Sequence, residues 1–168
     1  MTVKVAINGF GRIGRNVFRA LIEYPRSDVE IIAVNTIPSL SESAYLLEFD
    51  SVHGKLPAPV TTDGNMMYVG SNKVRFLSER DPETLDWGAL GVDIVMECTG
   101  IFTDANKAAA HLRGGAKKVL VSAPSKGADL TVVYGVNHML ICPEHKIISN
   151  ASCTVSYTHL TLPTTGIV

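Results

Sequence analysis

Three glycines near the N-terminus are the first residues whose spacing suggests chemistry. They lie in residues 9–14, which read GFGRIG and fit the pattern G-x-G-x-x-G. The pattern follows an apolar strand and opens an amphipathic helix, which is the context that a dinucleotide-binding turn requires. Gly9 permits a tight turn, Gly11 lets a diphosphate approach the backbone, and Gly14 allows close packing of helix and strand. The first amides of the helix and its positive end would then bind the phosphates.

The end of the second predicted strand bears on which dinucleotide fits. A carboxylate about 20 residues after the glycine turn usually binds the ribose 2′-hydroxyl of NAD. Here the strand ends in Asn35 and Thr36, which offer an amide and a hydroxyl but no negative charge. These groups can hydrogen-bond a ribose oxygen, and neither repels a 2′-phosphate. We therefore expect NAD as the cofactor and leave NADP open, with Arg12 able to assist either one.

Three cysteines, Cys98, Cys142 and Cys153, are the next candidates for chemistry. Their number is odd and no two form a CxxC pair, so neither a disulfide framework nor a zinc site is predicted. The histidines also lack metal-ligand spacing, and no metal site is expected. For Cys98 and Cys142 we expect ordinary reduced thiols.

The hydrophobic pattern predicts a scaffold of alternating strands and helices. The predicted strands are 3–7, 29–34, 66–69, 74–77, 92–97, 118–122, 131–134 and 147–149. The predicted helices are 12–24, 41–49 with Ser41 as its cap, and 104–112, with a helical turn at 81–83. Apolar strands joined by helices within about 30 residues are typical of βαβ units. We predict an α/β fold with a doubly wound, mostly parallel, Rossmann-type sheet that binds ligands at the carboxyl ends of its strands.

The whole-chain properties limit the possible partners. The chain has 168 residues and a net charge of −1, enough for one well-cored domain and without a basic surplus for nucleic acid or an anionic membrane. No run of about 18 apolar residues occurs, and the N-terminus carries no secretory signal pattern. We therefore expect a cytoplasmic protein with neither nucleic acid nor membrane as a partner.

Several sequence blocks resemble the glyceraldehyde-3-phosphate dehydrogenase family. The blocks are 8–15 (NGFGRIGR), 49–54 (FDSVHG), 79–82 (ERDP), 97–103 (ECTGIFT), 121–124 (VSAP), 134–138 (YGVNH) and 149–154 (SNASCT). They follow the family's order and spacing over most of the chain. The resemblance implies an NAD(P)-dependent oxidoreductase of glycolysis that converts glyceraldehyde 3-phosphate and inorganic phosphate to 1,3-bisphosphoglycerate.

The resemblance also implies roles for individual residues. Cys153 would form a thiohemiacetal with the aldehyde, with Ser152 and Thr154 as substrate and phosphate contacts. The implied cofactor contacts lie on the glycine turn and on the strand ends. They are Gly9, Gly11, Arg12, Ile13, Gly14, Asn35, Thr36, Arg80, Thr99, Gly100 and Ser122. Of these, Arg12 and Ile13 would hold the pyrophosphate, Arg80 would lie along the adenosine, and Ser122 would face the nicotinamide side.

The proposed nucleophile needs help to become a thiolate. A free cysteine with a pKa of about 8.5 is mostly protonated at neutral pH. A helix that begins at Ser152 would place Cys153 in its first turn, where the positive helix end favours the anion. The family's thiolate also needs an imidazole base, which the resemblance places in a second domain further along the chain. His159, six residues after Cys153, is not assigned that role.

The sequence departs from the family pattern after Thr154. Residues 155–168 read VSYTHLTLPTTGIV, in which β-branched residues and Pro163 fit a long helix poorly. We therefore expect a dinucleotide-binding domain over residues 1–151, then the start of a catalytic-domain helix and a non-native tail at 152–168, with the catalytic domain missing. Such a chain would bind cofactor without turnover. The full-length relatives implied by the resemblance are homotetramers.

Two alternatives stay open. Erythrose-4-phosphate dehydrogenase shares the nucleophile and the cofactor fold, and its substrate contacts lie largely in the other domain. A non-catalytic NAD(P)-binding module would need only the glycine turn and the sheet.

Overall fold

The computed structural model describes residues 2–151. The expectations for Ser152, Cys153, Thr154 and His159, and for the helix and tail at 152–168, lie outside these residues. Within the described part, no helix combines the length and the apolar character needed to cross a bilayer.

Strands and helices alternate along the described residues. The strands are β1 (Val3–Asn8), β2 (Val29–Asn35), β3 (Phe49–Asp50), β4 (Gly54–Lys55), β5 (Val60–Asp63), β6 (Met66–Val69), β7 (Asn72–Leu77), β8 (Ile94–Glu97), β9 (Lys118–Val121), β10 (Leu130–Thr131) and β11 (Ile147–Ser149). The α-helices are α1 (Arg12–Glu23), α2 (Leu40–Glu48), α3 (Trp87–Leu90), α4 (Ala105–Ala108) and α5 (Ala110–Arg113). Short 3₁₀ turns occupy Pro82–Thr84 and His138–Leu140.

Nine of the strands form one sheet in the order β10-β11-β9-β8-β1-β2-β7-β6-β5. The strands from β10 to β7 are parallel, whereas β6 and β5 pair antiparallel at one edge. The chain leaves β1 toward β2 and later returns to β8 on the opposite side of β1, so the strand order reverses there. Ligands of open α/β sheets bind beyond the strand ends at such a switch point. The predicted doubly wound, mostly parallel fold is confirmed.

Both faces of the sheet are buried. Along β1, Val5 and Ile7 pack with Phe18 of α1, while Ala6 packs on the other face in a cluster that contains Trp87. Successive side chains of a strand point to opposite faces, so a strand covered on both sides must be apolar throughout. This is why β1 reads as a nearly continuous apolar run, and why the strand is recognisable in the sequence.

The sequence pattern predicted Ser41 as the cap of α2, but this prediction is wrong, because the cap is Ser39. The Ser39 hydroxyl accepts a hydrogen bond of 3.2 Å from the Glu42 amide. Ser39 has an extended backbone (φ −62°, ψ 155°), which lets its side chain fold back over the first turn. Ser41 already lies inside that turn, so it cannot serve as the cap.

The single helix predicted over 104–112 is two short helices, α4 and α5, that meet at Ala109. There ψ is −15°, and the Leu112 amide donates to the Ala109 carbonyl in a 3₁₀-type bond of 3.1 Å. Alanine has the highest helix propensity, so no local residue preference indicates a break at Ala109.

The strand predicted over 131–134 is shorter, because β10 ends at Thr131. The Val132 amide still donates to the Ser149 carbonyl at 2.7 Å. Beyond it, the Asn137 side chain accepts from the Val133 amide and donates to the Thr131 carbonyl, which bends the chain into a turn. The strands β3, β4 and β5 and the helix α3 were not predicted.

An apolar surface follows this turn. Its exposed side chains include Tyr134 and Met139, which are 79% and 83% exposed, together with Val136, Leu140 and Ile141. An apolar cavity of about 340 Å³ lies beside it, against β8, β9 and β11. Large contiguous apolar patches promote association between protein molecules.

We expect the 168-residue polypeptide to self-associate through residues 134–141. Light scattering coupled to size-exclusion chromatography should show an apparent mass that rises with concentration. A Met139→Glu, Leu140→Lys double variant should reduce that rise. A single monomeric species of the unmodified chain at all concentrations would contradict the expectation.

Candidate functional site

A cleft of about 370 Å³ lies at the switch point between β1 and β8. It brings together six of the eleven predicted cofactor residues. These are Gly9, Gly11, Asn35, Thr36, Arg80 and Thr99. The other five, Arg12, Ile13, Gly14, Gly100 and Ser122, do not line the cleft.

Glycine suits each of the three positions in the turn for a different structural reason. Gly9 has φ +94°, and a Cβ there would lie 2.7 Å from the Thr99 amide nitrogen. A Cβ on Gly14 would lie 2.2 Å from the Gly9 carbonyl oxygen, so only glycine lets α1 approach the turn this closely. Around Gly11, by contrast, a Cβ would meet no atom within 4 Å. The backbone at Gly11 is therefore open to the cleft, as the approach of a diphosphate requires.

The N-terminus of α1 is suited to an anion. Gly11 is its cap residue, and within residues 2–151 no side-chain hydrogen bond caps the first turn. The first turn also carries no acidic residue. The first amides of a helix have no partner within the helix, and the helix dipole adds a partial positive charge there. In the twelve-residue helix α1, the unpaired amides and the partial positive charge can therefore both bind phosphate oxygens.

Arg15 is a residue of the cleft that the sequence analysis did not single out. Its Nη1 donates to the Phe10 carbonyl at 3.0 Å, and its buried Nε has no hydrogen-bond partner among the described residues. Burial and the neighbouring Arg12 lower the pKa of Arg15. The signal for it was the helical spacing, because Arg15 lies four residues after Gly11 and so above the same face of the turn.

Arg12 lies at the glycine turn, but its guanidinium does not point into the cleft. Its Nη1 lies 3.1 Å from Oδ2 of Asp50, a buried carboxylate that follows α2. Asp50 also accepts hydrogen bonds from the Val52 and His53 amides, at 2.8 and 2.9 Å. These amide hydrogen bonds and the adjacent guanidinium lower the pKa of Asp50 to about 2.

Asp50 should make the free energy of unfolding depend on pH in the acidic range. A carboxyl whose pKa falls from 3.8 to about 2 on folding stabilises the protein fully above about pH 4, and this contribution is lost as the pH falls toward 2. Urea unfolding at pH 7 should therefore show the unmodified chain to be more stable than the Asp50→Asn variant. The difference should narrow below pH 4. A difference that stays constant down to pH 3 would contradict this assignment.

Asn35 contributes to the cleft mainly by holding the strand ends. Its side-chain nitrogen donates to Asn8 Oδ1 at 2.7 Å and to the Glu79 carbonyl at 2.9 Å. Its side-chain oxygen accepts from the Glu79 amide at 2.8 Å. Both amide hydrogens are thus used within the protein, which leaves the side chain of Thr36 as the polar group at this end of β2.

The wall beside Thr36 includes two charged residues from the segment after β7. These are Glu79 and Arg80, both exposed. Arg80 was predicted here, but Glu79 was not, because the carboxylate that binds the ribose is usually found at the end of β2 itself. The pairing of β2 with β7 brings Glu79 close.

The opposite wall is the bend after β8. The Thr99 amide donates to the Glu97 carboxylate at 2.8 Å, and the Thr99 hydroxyl also donates to it. Ser122 does not line the cleft, and its amide donates to the Glu97 carbonyl at 3.0 Å. Burial raises the pKa of Cys98 to about 11, so it stays a neutral thiol. This agrees with the expectation that Cys98 is not reactive.

Comparison with known proteins identifies this architecture. The sequence model described as "Glyceraldehyde 3-phosphate dehydrogenase, NAD binding domain" matches residues 3–105. A glyceraldehyde-3-phosphate dehydrogenase of Xanthobacter flavus is 56% identical over 156 residues, which cover 93% of this chain and 47% of the relative. A chromosomal one of Cupriavidus necator is 54% identical over 158 residues, covering 93% and 47%. One of Geobacillus stearothermophilus is 54% identical over 157 residues, covering 93% and 46%.

The chain thus spans about half the length of the curated relatives it matches. The matched model describes an NAD-binding domain, which supports NAD as the cofactor. The chain belongs to the glyceraldehyde-3-phosphate dehydrogenase family.

Proposed function

We propose that the chain is the cofactor-binding part of an oxidoreductase that converts glyceraldehyde 3-phosphate, with NAD and inorganic phosphate, to 1,3-bisphosphoglycerate. The observation that carries this proposal is the open backbone at Gly11 beside the uncapped N-terminus of α1. The names of the relatives favour glyceraldehyde 3-phosphate over erythrose 4-phosphate as the substrate. When bound, NAD supplies the acceptor for the hydride that leaves the substrate.

The cleft suggests how the chain would orient that cofactor. The backbone at Gly9, Gly11 and Gly14 and the first amides of α1, those of Arg12 and Ile13, would hold the diphosphate. Arg15 adds a positive charge on the same side. Thr36 and Arg80 would contact the adenosine, next to Asn35. Thr99, Gly100 and Ser122 belong to the nicotinamide side.

The chemical step rests on residues whose roles are argued from sequence. The Cys153 thiolate would attack the aldehyde carbon and form a thiohemiacetal. Loss of a hydride and a proton would leave a thioester on the same sulfur. Attack by inorganic phosphate would then release the acyl phosphate and regenerate the thiolate. Ser152 and Thr154 are the sequence neighbours of Cys153 and would contact the substrate and the phosphate.

The proposal extends to organisation and location. Residues 1–151 would form the dinucleotide-binding domain, since its last strand, β11, ends at Ser149. Within residues 152–168, the start of a catalytic-domain helix would be followed by a non-native tail. A cytoplasmic location is supported by Cys98 and Cys142, both of which are free thiols. For the full-length protein we propose a homotetramer, in line with its family.

The 168-residue polypeptide, taken by itself, should bind NAD without catalysing the reaction. None of the four histidines of the described part, His53, His111, His138 and His145, lines the cleft. An imidazole base contributes about 10²- to 10⁴-fold to such reactions. NAD should raise the melting temperature of the purified chain, with no phosphate-dependent NADH above background.

Two results would contradict this proposal in different ways. Failure of NAD to change the melting temperature or to bind by calorimetry would contradict the cofactor site. Robust phosphate-dependent NADH production would instead contradict the expectation that the catalytic base is not among these residues. Adenosine monophosphate should stabilise the chain less than NAD, since it lacks the diphosphate.

A further inference from the structure

A buried hydrogen-bond network lies directly beneath the cleft. It joins the ends of β8, β1 and β2 to the segment after β7. Its centre is Glu97, the last residue of β8, which is 1% exposed. The proposed function does not use this carboxylate. A carboxylate this deeply buried is rare in proteins unless several donors satisfy it.

Glu97 receives hydrogen bonds from three sides. Asn8 Nδ2 lies 2.6 Å from Oε2, and His111 Nε2 lies 2.9 Å from the same oxygen. The Thr99 amide and hydroxyl both reach Oε1. Asn8 Nδ2 and His111 Nε2 are 3.4 Å apart because both converge on Oε2.

The direction of this network is fixed at one end by an indole. Trp87 Nε1 lies 3.1 Å from His111 Nδ1 and can only donate. His111 Nδ1 must therefore accept, which leaves a neutral imidazole with its proton on Nε2. That proton can only be donated toward Glu97.

The direction is fixed at the other end by a peptide backbone. The Glu79 amide donates to Asn35 Oδ1, and the Glu79 carbonyl accepts from Asn35 Nδ2, so the Asn35 amide cannot be reversed. Asn35 Nδ2 then donates to Asn8 Oδ1, which turns Asn8 Nδ2 toward Glu97. Donors of fixed direction thus point to both oxygens of Glu97: the Asn8 and His111 nitrogens to Oε2, and the Thr99 amide to Oε1. A carboxyl group can accept from all of them, whereas an amide at this position would set its own hydrogens against a donor at one of the two oxygens.

The network bears on the cleft through Thr99. Its hydroxyl donates to Glu97 and accepts from the Ile101 amide at 3.1 Å, which fixes the bend that forms one wall. This bend also contacts the glycine turn, because the Thr99 backbone occupies the space in which a Cβ on Gly9 would lie. A shift of the bend would therefore move the glycine turn itself.

We propose that Glu97 is a positioning residue of the cofactor site, a carboxyl group whose acceptor oxygens fix the wall at Thr99 and the strand end at Asn8. The role rests on the proposed function, because it concerns the binding of NAD in this cleft. Glu97 does not touch the cofactor in this scheme. It acts by holding the bend and the glycine turn in the arrangement that the diphosphate requires.

The test compares two variants of the 168-residue chain by calorimetric NAD titration and thermal unfolding. Glu97→Gln keeps the size of the side chain but replaces one of its acceptor oxygens with an NH2 group, which can only donate. Trp87→Phe removes a donor at the far end and leaves the contacts of Thr99 in place. Both variants should melt at a lower temperature than the unmodified chain. The NAD dissociation constant should rise at least about tenfold in Glu97→Gln and stay within about twofold in Trp87→Phe. Equal, unchanged affinities in the two variants would overturn the proposal.

A second measurement needs no variant and covers the case in which Glu97→Gln fails to fold. Nitrogen NMR of the unmodified chain should show His111 as the neutral tautomer with its proton on Nε2. A proton on Nδ1, or on both nitrogens, would overturn the direction of the network and with it the role of Glu97 as the common acceptor. Lack of NAD binding by the unmodified chain would instead contradict the proposed function, and the tautomer would still test the direction of the network.

Discussion

Replacing Gly11 with alanine is expected to weaken NAD binding while the fold stays intact. The new Cβ meets no protein atom within 4 Å, and Gly11 already has an ordinary φ of −73°. Alanine is a poorer cap residue than glycine, which destabilises the helix, but it also lowers the entropy of the unfolded chain, which stabilises the fold. Because these effects oppose each other, the free energy of unfolding should change by less than about 1 kcal/mol. The methyl group would, however, fill the space that the diphosphate needs. Steric crowding of this kind costs about 1–3 kcal/mol, or roughly five- to 150-fold in affinity.

Gly14→Ala is the matched control. In this variant we expect the free energy of unfolding to fall, whereas in Gly11→Ala it should hardly change. Its Cβ would lie 2.2 Å from the Gly9 carbonyl oxygen, so the backbone of the turn must move. Alanine in a helix is otherwise favoured over glycine by about 1 kcal/mol, which makes a loss of stability here diagnostic of the close packing. Urea unfolding and NAD titration of both variants check the pair. Wild-type affinity in Gly11→Ala would contradict the placement of the diphosphate.

Thr36→Asp is expected to separate the two cofactors. Thr36 is buried at the end of β2 with its side chain at the cleft, where an aspartate could accept from the ribose hydroxyls of NAD. The same negative charge would repel a 2′-phosphate. Two charges about 4 Å apart interact by about 4 kcal/mol at an effective dielectric constant of about 20. After solvent screening, NADP affinity should fall about a hundredfold or more, while NAD affinity should stay equal or rise.

Thr36→Asn is the neutral control, since asparagine has nearly the shape of aspartate. It should leave the ratio of NAD to NADP affinity within a few-fold of the unmodified chain, because a neutral amide adds no charge repulsion. Calorimetric titration of the three proteins with both cofactors gives the ratios. Equal ratios in the aspartate and asparagine variants would show that the ribose hydroxyls bind elsewhere.

The glycine turn and the sheet were predictable because their signals are local. The context of residues 9–14 depends only on the strand before and the helix after, and both are visible as hydrophobic periodicity. The switch point follows from the order of βαβ units. Even the family membership follows from short blocks in a fixed order. These features need no knowledge of how distant segments meet.

The polar partners in the site were not predictable, because they are set by tertiary contacts. Arg12 is paired with Asp50, 38 residues away, and not with the cleft. Asn35 uses its amide on the backbone of Glu79, 44 residues away. Arg15 could have been found from helical spacing alone. The network around Glu97 required the positions of four strand ends, which no local pattern contains.

The most direct measurement is a crystal structure of the chain grown with NAD. We expect the diphosphate to lie over Gly11, with its oxygens within hydrogen-bond distance of the first amides of α1. NAD bound at another place, with no ligand density along residues 9–14, would contradict the proposed site.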